Sequence, residues 1–528
     1  ESGIEDMHSI SDDVTDLVLE RHGSFSGEHG DGMARTEFNP KMYGEELWTA
    51  FKQVKTAFDP GWLMHPGNVV YRDGPDDPGP DTERGVGADM RENLRYGPEY
   101  QSVEPQTTLD FEDEGGFSEL VELCNGCGTC RQTGENVMCP TYRASEEEIQ
   151  STRGRANLLR SAIGGDLPEE EIHSERFQEE VLDLCVGCKG CKSDCPTGVD
   201  LAKLKAEVKH EHHAEEGASL RERLFANIDT ASRIGSALAP LSNWATEIPG
   251  ARTVMQSVFG IAPERELPPF RRETLRDWFE ARGGSAVSES EADRSVVLFP
   301  DTYTNYSYPS AGRAAVEVLE AAGVHVSIPD DLAPSGRAAF STGMLDLAHE
   351  RARDNLTLAG GRDVVFVEPS DAVMFQDEYL DLLDDPAAEQ LAESAYGVLE
   401  YLDVHRLDEA LPVADRAPGA AGSLAYHGHC NQKATNKDHH AVGVLRRVGY
   451  EVDPLDTTCC GMAGSFGYHE EHYDLSKAIG RLLFDAVEES SGDRVVAPGG
   501  SCRSQLGDTE GVDEIPPHPI EAVADRLG

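Results

Sequence analysis

Two cysteine runs constrain this chain more than anything else in it. The first reads Cys124-x2-Cys127-x2-Cys130-x8-Cys139-Pro140, and the second Cys185-x2-Cys188-x2-Cys191-x3-Cys195-Pro196. Three thiolates at a two-residue spacing, followed by a Cys-Pro, form the ligand pattern of a [4Fe–4S] cluster. A zinc site takes four ligands and needs neither a repeated third cysteine nor a Cys-Pro. A disulfide framework belongs to short secreted chains, and this chain has 528 residues. Gly126, Gly128, Gly187 and Gly190 sit among the ligands, where a residue without Cβ lets backbone N–H groups close on sulfur. Two such clusters side by side make a path for electrons.

The second run has the spacing of bacterial two-cluster ferredoxins residue for residue, and the first carries a longer final gap. In those proteins each CxxCxxC supplies three ligands, and the Cys-Pro of the other run supplies the fourth. The resemblance implies one cluster on Cys124, Cys127, Cys130 and Cys195, and another on Cys185, Cys188, Cys191 and Cys139. Apolar residues at helical spacing over 117–123 and 177–184 lead into the two runs. Between them, 153–160 starts a helix whose arginines are expected on a solvated face.

Acidic residues number 97 against 46 basic ones, for a formal charge of −51, and they are spread along the chain. This speaks against nucleic-acid binding, which needs a basic footprint. It suits a protein kept soluble in high salt, where repulsion is screened. With only 11 lysines, a halophile is the expectation ahead of an ordinary acidic bacterial protein. All 12 cysteines fall in the motifs described here, which points to a reducing compartment. No apolar run approaches the roughly 18 residues of a bilayer span, and no signal peptide is visible. The expected location is cytoplasmic, with the inner face of a membrane as the other candidate. The chain begins with Glu1 rather than Met, so it is read as the C-terminal part of a longer product.

Ahead of the cysteine runs, 12–21 reads as helix. The stretch Gly27-Glu28-His29-Gly30-Asp31-Gly32 is a glycine-rich loop carrying a carboxylate beside an imidazole. That pair suits either a metal ligand next to a general base or a simple polar turn. Residues 45–58 are helical and close in Asp59-Pro60-Gly61 and His65-Pro66-Gly67-Asn68. Residues 73–89, rich in Asp, Pro and Gly, read as a solvated linker.

The Gly27–Gly32 loop, with Ala57-Phe58-Asp59-Pro60 and His65-Pro66-Gly67, resembles the C-terminal end of the FAD-linked oxidase domain of D-2-hydroxyacid dehydrogenases. Those flavoproteins are of the vanillyl-alcohol-oxidase type. The resemblance implies the end of an α+β domain. It makes Glu28 a ligand of a divalent metal and His29 the base on the substrate carbinol, with Gly30 and Gly32 in the cofactor-binding loop. The family's metal-binding histidines and FAD-binding subdomain lie upstream of the matching residues.

Residues 199–213 read as helix, with His210, His212 and His213 expected on its surface. The stretch 214–290 is mostly helical and broken by prolines. From 295 the chain repeats at an offset of 126, with Gly323 on Gly449 and Asp330 on Asp456. Each copy has the order strand, helix, strand, which predicts two α/β units. Copy two carries Cys430, Cys459-Cys460-Gly461 and Cys502, where copy one has Thr304, Ala333, Pro334 and Asp371. Copy one is therefore expected to be a structural partner. Copy two resembles the CCG cysteine-rich domain of heterodisulfide reductase B subunits and of the iron–sulfur subunits of glycerol-3-phosphate and glycolate dehydrogenases. That pattern ends in CxxC, whereas this chain has Cys502-Arg503-Ser504-Gln505. Four thiolates remain, enough for a third iron–sulfur cluster, with His427 and His429 placed to tune it.

The expected layout has six parts. Residues 1–71 are the end of an FAD-linked oxidase domain, and 72–112 an acidic linker. An α-helical two-cluster domain covers 113–215 and a helical linker 216–290. A degenerate CCG unit over 291–420 and a cysteine-bearing one over 421–528 complete it. That order resembles single-chain FAD/iron–sulfur dehydrogenases of D-2-hydroxyacids. The resemblance implies oxidation of a D-2-hydroxyacid, D-lactate ahead of D-2-hydroxyglutarate, with FAD held mostly upstream. Electrons would leave for a quinone or a carrier protein. The alternative is an electron-transfer subunit of a glycerol-3-phosphate or glycolate dehydrogenase, and a third is a CCG unit that reduces disulfides.

Overall fold

The computed structural model describes residues 2–91, 94, 100–133, 137–168, 171, 172, 174–330, 332–358, 361–508 and 514–528. The chain divides into two compact units, Glu1–Gln101 and Ser102–Gly528.

The first unit is built on the helices Ser2–Glu20 and Asn39–Phe58. Pro40 opens the second of these, where its missing N–H costs nothing. Trp48, Trp62 and Val70 form a small core. Among its described residues the unit has isolated bridges but no strand, so this end of the expected α+β domain is helix and turn. Residues 73–89, read from sequence as a solvated linker, are folded instead. The guanidinium of Arg72, fully buried, donates to the carbonyls of Pro75, Asp77, Thr82 and Arg84. Lys52 pairs with Asp73 and Asp77. A buried cation needs such partners, and the acidic loop supplies them.

The second unit begins with a helical domain. Pro140 follows Cys139 and opens the helix Pro140–Ser145. Asp200 caps the helix Leu201–Glu216 by accepting from Ala202 and Lys203 N–H. Leu201, Leu204 and Val208 of that helix are buried. They share a core with Phe117, Leu120, Leu159 and Leu182, and with Phe299, Phe366 and Phe375 of the following α/β unit.

Two parallel sheets follow. β1 (Arg294–Phe299), β2 (Val324–Ser327), β3 (Asp363–Phe366) and β4 (Ala395–Gly397) form the order β2-β1-β3-β4. β5 (Ser423–Tyr426), β6 (Glu451–Pro454) and β7 (Arg494–Val496) form β6-β5-β7. The first strand of each copy is thus central, flanked by its second and third. Val296 pairs with Val326 and Val297 with Val364. The apolar run Val296–Phe299 is buried on both faces, as parallel strands covered by helices are. Helices Pro309–Ala321 and His439–Arg447 cover the sheets, and the helix Pro519–Ala524 packs on both. The two copies therefore share one core.

Candidate electron-transfer site

The three cysteine loops of copy two all follow the carboxyl ends of strands. Cys430 comes after β5, Cys459 and Cys460 after β6, and Cys502 after β7. That edge is where open parallel sheets bind ligands. All four side chains are buried. Cys459 shares hydrogen bonds with Cys430 and Cys460, and Cys460 shares one with Cys502. Bonds from Cys459 and Cys502 hold the Cys460 thiol below its ordinary pKa, while Cys459 and Cys502 are pushed up.

Two glycines make room here. Gly461 has φ +89°, and a Cβ on it would run into the Ser476 carbonyl and lie 3.1 Å from Ile479 Cβ. A Cβ on Gly499 would stand 2.5 Å from the His429 ring and 3.3 Å from Cys502 Sγ. His427 Nδ1 bonds Thr457 Oγ1 at 2.8 Å. His429 Nδ1 accepts from Asn431 N–H, which caps the helix Cys430–Ala434. Burial pulls His427 down and His429 to about 4, so both rings are neutral.

In the helical domain, Cys139, Cys185, Cys188 and Cys191 line one cavity. Cys139 comes from the first run and the other three from the second. The runs are interlocked: Asp194 accepts from Val137 and Met138 N–H at 2.7 and 3.0 Å. A Cβ on Gly190 would lie 2.8 Å from Val137. Cys124 and Cys130 are buried, Cys127 is exposed, and Cys195 is half-buried with its sulfur 3.4 Å from Thr197 Oγ1. Cys130 Sγ accepts from Arg153 N–H at 3.4 Å, and Cys191 Sγ from Leu201 N–H. Burial pushes Cys130 up, and its neighbours Cys139 and Cys124 add to that. Cys188 is raised by burial first and then by Cys430. Cys124, Cys130, Cys139 and Cys191 share one core, Cys188 packs in another with Cys430, Cys459, Cys460 and Cys502, and Cys185 lines both the cavity of the helical domain and that of copy two. All 12 cysteines are free. The buried set of copy two and the four thiols lining the cavity of the helical domain, with glycines and N–H donors beside them, fit iron–sulfur clusters.

Sequence reasoning missed three features. The first is Arg155, assigned to a solvated face but only 1% exposed. Its guanidinium donates to the Val181 and Gln150 carbonyls and lies 3.8 Å from Cys139 Sγ. Burial raises the Cys139 thiol, but Arg155 and Thr141 bring it below its ordinary value. The second is the cationic surround. Five of the 11 lysines fall between 189 and 209. Lys189 reaches Asp377, Lys203 reaches Glu114 and Asp381, and Lys205 donates to the Cys185 carbonyl. His213, expected at the surface, is buried beside Glu222.

The third is copy one itself. Glu368, just past β3, accepts from Gly500 N–H at 2.7 Å, two residues before Cys502. Tyr303 and Asp371 line a cavity of about 430 Å³ that Cys430, Cys459, Cys460 and Cys502 also line. Burial and the neighbouring Asp301 raise Glu368 to about 8 and Asp371 to about 7. Copy one thus walls the site rather than only supporting it. The clue in the sequence was an acid, Asp371, standing in the place of a cysteine.

In the first unit, the Gly27–Gly32 loop lies on the surface. Glu28 and His29 are each about nine-tenths exposed, with Nε2 and Oε1 3.6 Å apart. Gly27 and Gly30 form a bridge, and Gly30 and Gly32 have positive φ.

The class of protein follows from three matched stretches. Residues 1–69 match the family of FAD linked oxidases, C-terminal domain; 120–199 match the 4Fe-4S dicluster domain; 424–507 match the cysteine-rich domain. Among individual proteins, the chain is similar to the D-2-hydroxyglutarate dehydrogenase of Escherichia coli strain K12, at 24% identity over 583 residues. That alignment takes in 99% of this chain and 53% of that protein. A subunit of the anaerobic glycerol-3-phosphate dehydrogenase of the same organism is 27% identical, over 54% of this chain and 73% of that subunit. The glycolate oxidase iron-sulfur subunit of that organism is 23% identical, over 73% of this chain and 90% of its own length. The chain spans about half the length of the D-2-hydroxyglutarate dehydrogenases it matches.

Proposed function

We propose that this chain is the electron-transfer part, with the closing segment of the FAD-linked oxidase domain, of an FAD- and iron–sulfur-dependent D-2-hydroxyacid dehydrogenase. The observation that carries the reading is the continuity of the cysteine sites, with Cys185 lining both the cavity of the helical domain and that of Cys430, Cys459, Cys460 and Cys502, in a chain whose first 69 residues match an FAD-linked oxidase. Cys124, Cys127, Cys130 and Cys195 would hold one [4Fe–4S] cluster, and Cys185, Cys188, Cys191 and Cys139 a second. Cys430, Cys459, Cys460 and Cys502 would hold a third. Bound clusters supply one-electron chemistry; the chain's part is to bury their thiolates and set lysines, Arg155 and N–H donors round them. Glu28 would bind a divalent metal and His29 would take the hydroxyl proton.

The names of similar proteins favour D-2-hydroxyglutarate over the D-lactate preferred from sequence. A quinone or a carrier protein would be the final acceptor. The other reading is an electron-transfer subunit, favoured by the similarity to the glycerol-3-phosphate and glycolate proteins; the FAD-linked oxidase match over 1–69 weighs against it.

Anaerobically prepared protein should hold about 12 irons per chain, four for each cluster. About eight would mean that the set in copy two is empty, and a colourless zinc protein would remove the redox reading. In the full-length enzyme, D-2-hydroxyglutarate should bleach the clusters faster than D-lactate. His29→Ala should slow that step ~100-fold or more, and Glu28→Ala should be rescued in part by added divalent metal. Normal rates in both variants would leave the electron-transfer subunit as the better reading.

A further inference from the structure

Exposed large apolar side chains of the second unit gather mainly in one segment. Of the thirteen that its described residues leave exposed, eight lie between Leu220 and Val258. They follow helical spacing: Ile234 and Leu238 at the end of Ile228–Ala237, Leu241, Trp244 and Ile248 along Leu241–Glu247, and Val254 and Val258 on Ala251–Phe259. Their exposures run from 40% to 68%. Consecutive helices of this group pack on one another. On Ile228–Ala237 the other side is covered: Ser232, Gly235 and Ser236 are buried.

Charge sets this segment apart. Residues 234–250 contain a single ionisable side chain, Glu247, and 220–259 contain four arginines against three acids. Elsewhere the chain carries about two acids for each base. An anionic surface repels a chain of net charge −51 as a whole, but not this segment. Exposed apolar side chains on short amphipathic helices, with a Trp among them and no net negative charge, are the features of a helix group that lies in a bilayer interface.

Behind these helices lies the cavity of about 430 Å³. Phe225, Ile228, Met255 and Phe259 line it from this segment, and Cys430, Cys459, Cys460 and Cys502 from copy two. Met255 and Phe259 each follow directly on an exposed valine, so one helix, Ala251–Phe259, serves the outer surface and the cavity at once.

We infer that residues 220–259 dock this protein on the surface of a lipid bilayer, and that the cavity behind them takes a lipid-soluble ligand from it. This deepens the proposed function by placing the electron acceptor among lipophilic ring compounds of the quinone class. The docking itself needs no cluster chemistry, so its test is independent of that reading.

The iron-loaded chain is mixed with vesicles of phosphatidylcholine containing phosphatidylglycerol, at the salt concentration in which it is folded, and vesicles are separated by flotation. The chain should float with them. Leu241→Glu and Trp244→Glu should each lower the bound fraction ~10-fold or more, the worth of one exposed apolar side chain gaining burial. Val404→Glu, an equal charge change at an exposed apolar site on another helix, should leave binding intact. Lipids brominated on their acyl chains should quench a tryptophan signal that Trp244→Phe removes, since Trp48 and Trp62 are buried and Trp278 is half-buried against the core of the α/β units. A chain that stays in solution overturns the inference, as does binding that Leu241→Glu and Trp244→Glu leave unchanged. Loss of binding in Val404→Glu would assign the effect to net charge and also overturn it. A wild-type dimer that ignores vesicles and that Leu241→Glu dissociates would give the surface to a second copy of the chain. Iron content near 12 with no flotation would leave the proposed function standing and remove only the docking.

Discussion

Arg155 Nη1 lies 3.8 Å from the sulfur of Cys139, and the two come from different parts of the cysteine-rich domain. Cys139 closes the first run; Arg155 sits in the helix Thr152–Ile163. The guanidinium holds a fully buried thiol toward its ionised form against the cost of burial, and the thiolate is the form that binds iron.

Replacing Arg155 should therefore damage the protein in two ways. Arg155→Leu leaves the Val181 and Gln150 carbonyls without their donor, at ~1–3 kcal/mol for each buried group. It also removes the charge beside Cys139. The expected result is a lower melting temperature and about four irons lost per chain. Arg155→Lys keeps the charge but not the fork of donors, and should retain more iron than Arg155→Leu. An Arg155→Leu protein with full iron and unchanged melting would falsify the role.

Cys139 shares a cavity with Cys185, Cys188 and Cys191, although 46 residues separate it from the nearest of them. Cys139→Ser should disturb the cluster signal of the second run and leave that of Cys124, Cys127 and Cys130. Cys195→Ser should do the reverse. Electron paramagnetic resonance of the reduced variants separates the outcomes. If Cys139→Ser removes the first run's signal alone, each run binds its own cluster and the crossed arrangement fails.

The cysteine spacing was legible because cluster ligation depends on a few residues close in sequence. The α/β repeat was legible because strands buried on both faces read as short apolar runs, such as Val296–Phe299. Arg155 was not legible: at a helix start, arginines spaced two apart read as a solvated face, and only the fold brings Cys139 and Val181 round one of them. Residues 73–89 misled for a similar reason. Their composition is that of a linker, and the partner that orders them, Arg72, stands just outside the stretch. The contribution of copy one to the cavity depended on how two sheet edges face each other, which no local pattern encodes.

His518 should give the protein part of its acid sensitivity. It is buried, donates from Nε2 to the Val367 carbonyl at 3.2 Å, and accepts at Nδ1 from Ile520 N–H at 2.9 Å. Burial, with Arg503 nearby, lowers it to about 3, against ~6.5 in an unfolded chain. Between those values the unfolded state holds a proton that the folded state does not. Stability therefore rises with pH through this window, is complete above it, and is lost as pH falls toward 3. Asn can keep the helix cap without titrating. Denaturant melts between pH 5 and 7 should show His518→Asn with a shallower slope, by up to ~1.4 kcal/mol per pH unit. Glu368 and Asp371, raised to about 8 and 7, tilt both proteins the other way, so the difference between the two curves is the test. Parallel curves would mean that His518 is protonated in the folded protein.

Gly461 offers the most local test of the cysteine site in copy two. It follows the pair Cys459-Cys460, donates its N–H to Cys459 Sγ at 3.4 Å, and holds φ +89°. An L-residue held there carries ~1–3 kcal/mol of strain. A Cβ would also press on the Ser476 carbonyl, whose residue is itself tied to Gly461: Ser476 Oγ donates to the Gly461 carbonyl at 2.7 Å. Ser476 lies in the helix Tyr473–Glu489, and Arg265 donates to its hydroxyl. The strain cannot relax without moving that helix. Gly461→Ala should therefore displace Cys459 and Cys460, release about four irons, and leave the two sets of the helical domain loaded. Iron analysis with spectra of the reduced protein distinguishes this from general unfolding, in which all three sets would go. A Gly461→Ala protein that keeps about 12 irons would show that the loop can yield, and that the backbone at Gly461 does not fix the two thiols.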